Sequence, residues 1–280
     1  MGSGFVEALV ERGDRVTVWN RTFAKAKALE AVGACAIEDP RDAARSAQRI
    51  HIMLGDDASV DGLLETLAGA IEPGTIVVDH TTVAPHPTIA RFAAMRERGI
   101  AFIHAPVFMG PQATRDAGGV MMVAGPQATF DLVRADLEKM TGHLWYVGEQ
   151  PEKAAALKLA GNEILFFISA GLADAYATAK GAGLSARDVF ELFEHFKPGG
   201  AIDMRGKMMA DGDFAARFEL TMARKDARLM METAAAGGST LHVLPTIVAR
   251  MDALIAAGYG GDDVAVLGIE TAPASSQARA

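Results

Sequence analysis

Cysteine, aromatic residues and excess positive charge are all scarce in this chain. One cysteine, Cys35, stands among 280 residues, which excludes an internal disulfide framework and suits a reducing, cytoplasmic compartment. Aromatic residues make up only 6%, so alanine, glycine and methionine must fill most of the apolar half, as close helix packing requires and a β-sandwich does not. The net charge of −8 argues against a nucleic-acid surface and offers no basic patch for anionic lipid. The N-terminus carries no basic stretch followed by an apolar core, so no signal peptide is expected. The longest apolar run, around Ile164–Ala173, is by itself too short to cross a bilayer. No metal site is expected. What remains is a soluble globular chain long enough for two domains, each with its own core.

The first half alternates short apolar runs with amphipathic segments. A helix opens the chain and stops at Gly13. Arg15–Trp19, Arg49–Leu54, Thr75–Asp79, Ala101–His104, Val120–Ala124 and Leu144–Val147 read as strands. Helices are expected over Phe23–Val32, Val60–Ala70, Pro87–Arg98 and Phe130–Met140. Buried strands joined by helices imply a mostly parallel sheet covered on both faces. After Gly148–Pro151 the strand signals cease. Glu152–Gly181 reads as one helix, with Gly183 as its stop and Ser185 as the N-cap of a helix over Ala186–Phe196. Further helices are expected over Met222–Ala236 and Leu244–Ala257, and the tail 271–280 is small, polar and expected to be disordered. The domains therefore divide as 1–148 (α/β), 149–270 (all-helical) and the tail.

Two local patterns suggest chemistry. Lys158 and Asn162 are four residues apart, so on a helix they share a face one turn apart. A lysine against an apolar helix wall loses ammonium solvation, and its pKa falls towards proton exchange with a hydroxyl or carbonyl. On spacing alone, a surface lysine opening a helix is the favoured reading of Lys158. Asn20-Arg21-Thr22 ends the Arg15–Trp19 strand, the place where a dinucleotide-binding sheet meets the adenosine ribose. No carboxylate is there to hold free ribose hydroxyls. Arg21, flanked by Asn20 and Thr22, suits a 2′-phosphate, although an ordinary turn with Thr22 as N-cap accounts for the same residues.

The order of several motifs resembles the β-hydroxyacid dehydrogenase family, which includes 3-hydroxyisobutyrate dehydrogenase, tartronate semialdehyde reductase and, more distantly, 6-phosphogluconate dehydrogenase. Asp79-His80-Thr81-Thr82-Val83-Ala84-Pro85 resembles its D-x-S-T-V-S-P, Lys158-Leu159-Ala160-Gly161-Asn162 its K-x-x-x-N, and Phe218–Asp226 its F-x-x-x-L-x-x-K-D. Met1-Gly2 resemble the end of the family's G-x-G-x-x-G turn, whose first strand and first two glycines are absent from this chain. The resemblance covers nearly the whole sequence and implies a Rossmann-type, doubly wound, N-terminally truncated α/β domain followed by an all-α domain. It also implies hydride exchange with NADP, or NAD, between the domains, with Lys158 as general acid/base and Asn162 fixing it on the substrate hydroxyl. Gly2, Asn20, Arg21, Thr22, Met53, Leu54, Thr82 and Lys225 then become cofactor residues. A small-molecule substrate and a homodimer or homotetramer are expected.

The substrate loop departs from the family's D-A-P-V-S-G-G. Here it reads His104-Ala105-Pro106-Val107-Phe108-Met109-Gly110. The resemblance assigns Phe108, Met109 and Gly110 to substrate binding, but Phe108 replaces a hydroxyl and Met109 a bare backbone. A carboxylate is costly to bury without donors, so a bulkier or less polar carbonyl compound fits better than a small hydroxy acid. Alternatively, Phe108 points into the core and Gln112 restores the polar contact. His104 reads as a second acid or as hydrogen-bonded packing. Two other functions remain open. One is an imine reductase, against which Lys158 counts because such enzymes usually carry Asp or Tyr there. The other is a non-catalytic remnant, with the start at Met1 in question.

Overall fold

In a computed structural model, residues 1–45 and 47–272 are described. The chain forms two compact units, Met1–Glu163 and a second beginning at Ile164. Most of the assignment to the tail 271–280 lies outside the described residues.

The first unit opens with helix α1 (Gly2–Glu11), strand β1 (Thr17–Val18), α2 (Phe23–Lys27) with a 3₁₀ continuation over Ala28–Val32, and β2 (Cys35–Ala36). Then come α3 (Pro40–Ala44), β3 (Arg49–Ile52), α4 (Asp57–Leu67), β4 (Ile76–Asp79), α5 (Pro85–Glu97) and β5 (Ala101–His104). β6 (Val107–Phe108), α6 (Pro111–Arg115), β7 (Val120–Ala124), α7 (Gln127–Glu138), β8 (His143–Gly148) and α8 (Lys153–Gly181) complete the α/β half. Sequence reasoning passed over β2, α3, β6 and α6, because elements of two to five residues are too short to show a period.

β3, β4 and β5 pair in parallel, as do β7 and β8, whereas β7 runs antiparallel to β5 and β6. His104↔Ala124 and Val107↔Met121 share one register, so β5 and β6 act as one strand interrupted at Ala105-Pro106. Proline has no N–H to give the ladder, but its carbonyl still accepts from the Met122 amide at 3.0 Å. β4 is buried at every position, as a strand covered on both faces must be. One face carries Val78, Ile103, Ala105 and Phe5, the other Val77, Phe102, Ile52 and Met95. β1 and β2 pair with each other in a separate sheet.

The two compact units divide inside α8, after Glu163. Ala154 packs with Met122, Ala124 and Val147, so the first turns of the helix belong to the sheet's core. The whole of α8 is long and apolar enough to cross a bilayer by length and composition, which the Ile164–Ala173 run alone did not show.

The second unit contains α9 (Ala186–His195), a π-helical turn over Ile202–Gly206, α10 (Lys207–Asp211), α11 (Leu220–Ala236), α12 (Leu244–Leu254) and a 3₁₀ segment over Val264–Thr271. A capping box at Ser185 and Asp188 starts α9. Asp174, on α8, accepts the amides of His242, Val243 and Leu244 at 2.8–2.9 Å, holding the entry to α12. Its core gathers Leu220, Ala227, Met251 and Val266. Ile164, Leu165, Phe166, Phe167 and Ile168 stay 46–73% exposed.

Candidate active site

Lys158 lies in the second turn of α8 and is only 8% exposed. Its Nζ donates to Asn162 Oδ1 at 2.9 Å, the one-turn contact that their spacing implies. The same Nζ sits 3.9 Å from the centroid of the Phe108 ring, close enough for an ammonium–quadrupole attraction. Burial lowers the lysine's pKa from its ordinary value, because leaving water penalises the charged form. Gly161 makes the arrangement possible. A Cβ there would fall 2.3 Å from Phe108 Cζ and 2.9 and 3.2 Å from two further ring atoms. The ring thus fills the notch left by a missing side chain, and Phe108 also packs against the cluster of Met122, Ala124, Val147 and Ala154. Of the two sequence readings of Phe108, neither is complete: the ring is packed, and what it packs against is the lysine. Gln112 pairs with Asp116 and Arg115 on an exposed surface. Met109 leans on the first core cluster, and Gly110 is the exposed N-cap of α6.

At the C-terminal ends of β4 and β5, Thr81 is fixed from three directions. Its amide donates to Asp79 Oδ1 at 2.9 Å, its Oγ1 accepts from the Leu54 amide at 3.1 Å, and its carbonyl accepts from His104 Nε2 at 3.0 Å. This sets the main chain of the next residue, Thr82, which is exposed. His104 is fully buried, and burial pulls its pKa to about 4, so it is neutral near pH 7 and acts as a donor to the backbone. On the opposite face His80 Nδ1 donates to the Ala105 carbonyl at 2.8 Å. Its Nε2 must then accept from His51 Nδ1 at 3.0 Å, and the two rings stack within 2° of parallel.

The residues assigned to the dinucleotide fall on separate segments of the chain. Gly2 begins α1, which has no side-chain cap, and a Cβ there would meet nothing within 4 Å. Its first amides lack intrahelical partners and suit a phosphate. Asn20 Oδ1 accepts the Thr22 amide at 2.9 Å, and Asn20, Arg21 and Thr22 are all exposed. The carboxyl of Asp56 is held below its usual value first by its bonds from Ser59, and the Arg21 charge adds to this, placing that guanidinium near the start of α4. Met53 and Leu54, half-buried, follow β3. An open helix start with exposed amide, hydroxyl and guanidinium groups fits the phosphates and ribose of a dinucleotide. Lys225 belongs to the second unit, on α11, where it pairs with Asp226 at 2.7 Å.

Sequence reasoning missed Arg91. Its side chain is 1% exposed and bonds Asp57 at 3.0 Å and Asp61 at 2.7 Å. The signal was present in Thr88, Arg91 and Met95, a buried stripe at helical spacing on α5. Asp79, which opens the motif at 79–85, is wholly buried, with its carboxyl pushed up by desolvation.

Residues 1–148 match the model for the NAD-binding domain of 6-phosphogluconate dehydrogenase. Residues 153–269 match the NAD-binding domain of NADP-dependent 3-hydroxyisobutyrate dehydrogenase. An uncharacterized oxidoreductase of Shewanella frigidimarina is 31% identical, covering 87% of this chain and 85% of its own length. The NAD-dependent L-serine dehydrogenase of Pseudomonas aeruginosa is 27% identical over 95% and 93%. Among solved structures, the Streptomyces aurantiacus imine reductase superposes with a TM-score of 0.86 at 26% identity, covering 95% of this chain and 94% of that one. With a Lys–Asn pair on the linking helix and a dinucleotide-type sheet end before it, the chain belongs to the family of 6-phosphogluconate and 3-hydroxyisobutyrate dehydrogenases, NAD(P)-dependent oxidoreductases.

Proposed function

We propose that this enzyme exchanges hydride between NADP, or NAD, and a small hydroxy acid, semialdehyde or related carbonyl compound, with Lys158 as the general acid/base. The carrying observation is the desolvated Nζ of Lys158, held by Asn162 at 2.9 Å beside Phe108. The nicotinamide, when bound, supplies or accepts the hydride, and the protein supplies position and protons. In reduction, the Lys158 ammonium gives a proton to the oxygen of the forming alcohol. In oxidation, the neutral amine takes the hydroxyl proton. A lowered pKa leaves more of the amine form at neutral pH and makes the ammonium the stronger acid. Asn162 Oδ1 orients Nζ, leaving its amide N–H groups for the substrate oxygen. Thr82, Leu54, Gly2 and the Asn20–Thr22 turn hold the dinucleotide, and Arg21 favours the 2′-phosphate of NADP. Lys225 is assigned to closing over the nicotinamide.

Replacing Lys158 by alanine tests the assignment. Turnover should fall by roughly 10²–10⁴-fold while dinucleotide affinity, read by nicotinamide fluorescence, is retained. Near-normal turnover would overturn it. Reduction of an imine is the second reading, supported by the likeness to the Streptomyces aurantiacus enzyme. Parallel ketone and imine assays separate the two.

The proposal extends to assembly and location. Residues 164–168 of α8 present a run of exposed apolar side chains, larger than isolated surface residues account for. Asp174 on the same helix is committed to the amides of residues 242–244, an arrangement of a globular unit rather than of a span in lipid. A second copy of the chain is therefore the occupant assigned to this face, and the enzyme is a cytoplasmic homodimer or homotetramer. Phe166→Asp should shift the sedimentation coefficient towards a monomer; an unchanged value would refute the role of this face.

A further inference from the structure

We infer that Phe108 makes this site select substrates that carry an uncharged group where a small hydroxy acid carries its carboxylate. The inference rests on the reaction assigned above and names its substrate class. Three observations carry it.

The ring is packed into the site. Its edge fills the Gly161 notch, where a Cβ would come within 2.3 Å of Cζ. Its backbone is held by the Phe108↔Val120 pairing of β6 with β7. A second glycine closes the other side: Gly119 has φ +71, and a Cβ there would lie 2.4 Å from the Phe108 carbonyl oxygen and 2.7 Å from Met109 Cγ.

The ring also presents its face to the ammonium, at 3.9 Å. That face carries negative quadrupolar charge, so whatever attracts the Lys158 cation repels an anion brought to the same place. A carboxylate approaching this flank would lose its water and meet carbon.

Finally, the cation beside the ring is the one the reaction itself needs. The buried cation of the group is Lys158, already bonded to Asn162 and facing the ring. A carboxylate that captured this ammonium as an ion pair would hold it away from the oxygen it must protonate. Met109 adds a second apolar side chain, and Gln112, the nearest polar substitute in sequence, is tied to Asp116 at 2.9–3.0 Å. An ester, amide, alkyl or aryl group meets none of these penalties and gains contact with the ring.

The test compares 3-hydroxy-2-methylpropanoate with its methyl ester on the full-length enzyme in the presence of NADP+. Binding is measured by calorimetry and turnover by nicotinamide absorbance. The ester should bind at least tenfold more tightly than the acid. Phe108→Ser should narrow that ratio at least tenfold, and Phe108→Leu, which keeps volume but loses the quadrupole, should fall between. Equal or tighter binding of the acid, no detectable binding of the ester, or a ratio unmoved in a folded variant would overturn the inference. Preferential ester binding without any turnover would leave it standing and sink the assigned reaction instead.

Discussion

Gly161→Ala is the sharpest probe of the contact between Phe108 and Lys158. The new Cβ would overlap three ring atoms at 2.3, 2.9 and 3.2 Å, and the ring has packed side chains behind it. Forcing volume into such a site costs about 1–3 kcal/mol. Replacing a mid-helix glycine by alanine returns about 1 kcal/mol through backbone entropy. The net loss should therefore be only about 0–2 kcal/mol, small enough for the protein to stay folded. Activity should suffer far more, because relieving the overlap displaces the ring that flanks Nζ, and misplacement by about 1 Å can cost roughly 10²-fold in rate. Adding Phe108→Ala removes the overlap, so urea unfolding should show a coupling of about 1–3 kcal/mol between the two positions. Turnover assays with the single and double variants complete the cycle. If Gly161→Ala leaves both rate and stability untouched, or the two changes are additive, the ring does not occupy the notch and the account of Lys158 fails with it.

Two further outcomes follow from the buried polar network. Arg91→Leu leaves Asp57 and Asp61 without their shared cation; breaking a buried pair costs about 3–5 kcal/mol. The carboxylates are 32% and 56% exposed, so a loss near or below the low end of that range is expected in the urea midpoint. His80 and His104 have folded pKa values of about 4, below the ordinary 6.5, because burial disfavours the imidazolium. The unfolded state thus binds more protons between these values, and stability should fall as pH drops from about 6.5 towards 4. The slope is on the order of 1.4 kcal/mol per pH unit for each histidine. His104→Gln should flatten it; a midpoint unchanged between pH 7 and 5 would refute the buried, neutral state of both rings.

Much of the candidate site was readable along the chain because its parts are local. Lys158 and Asn162 meet through helical spacing alone, and Ser185 with Asp188 caps α9 within one turn. The buried strands β4, β5 and β7 announce themselves as apolar runs, since burial on both faces leaves no room for polar alternation. Long-range partners left no such mark. Nothing in the order of residues 101–108 shows that β5 and β6 form one interrupted strand against β7, or that the carbonyl of Thr81 is the group His104 serves in its hydrogen-bonded packing.

Sequence by itself determined the class of fold and the lysine–asparagine pair, through periodicity and residue order within a few turns, and the family, through the resemblance of motifs in order along the chain. Only the tertiary structure decided what surrounds that lysine. Phe108 and Gly161 are 53 positions apart, and a ring filling the space of a missing side chain is a fact of packing between a strand and a helix. Desolvation of Nζ, the repulsion of an anion and the fixing of Thr81 all arise from atoms brought together by folding. Such proximity has no period for a sequence to display.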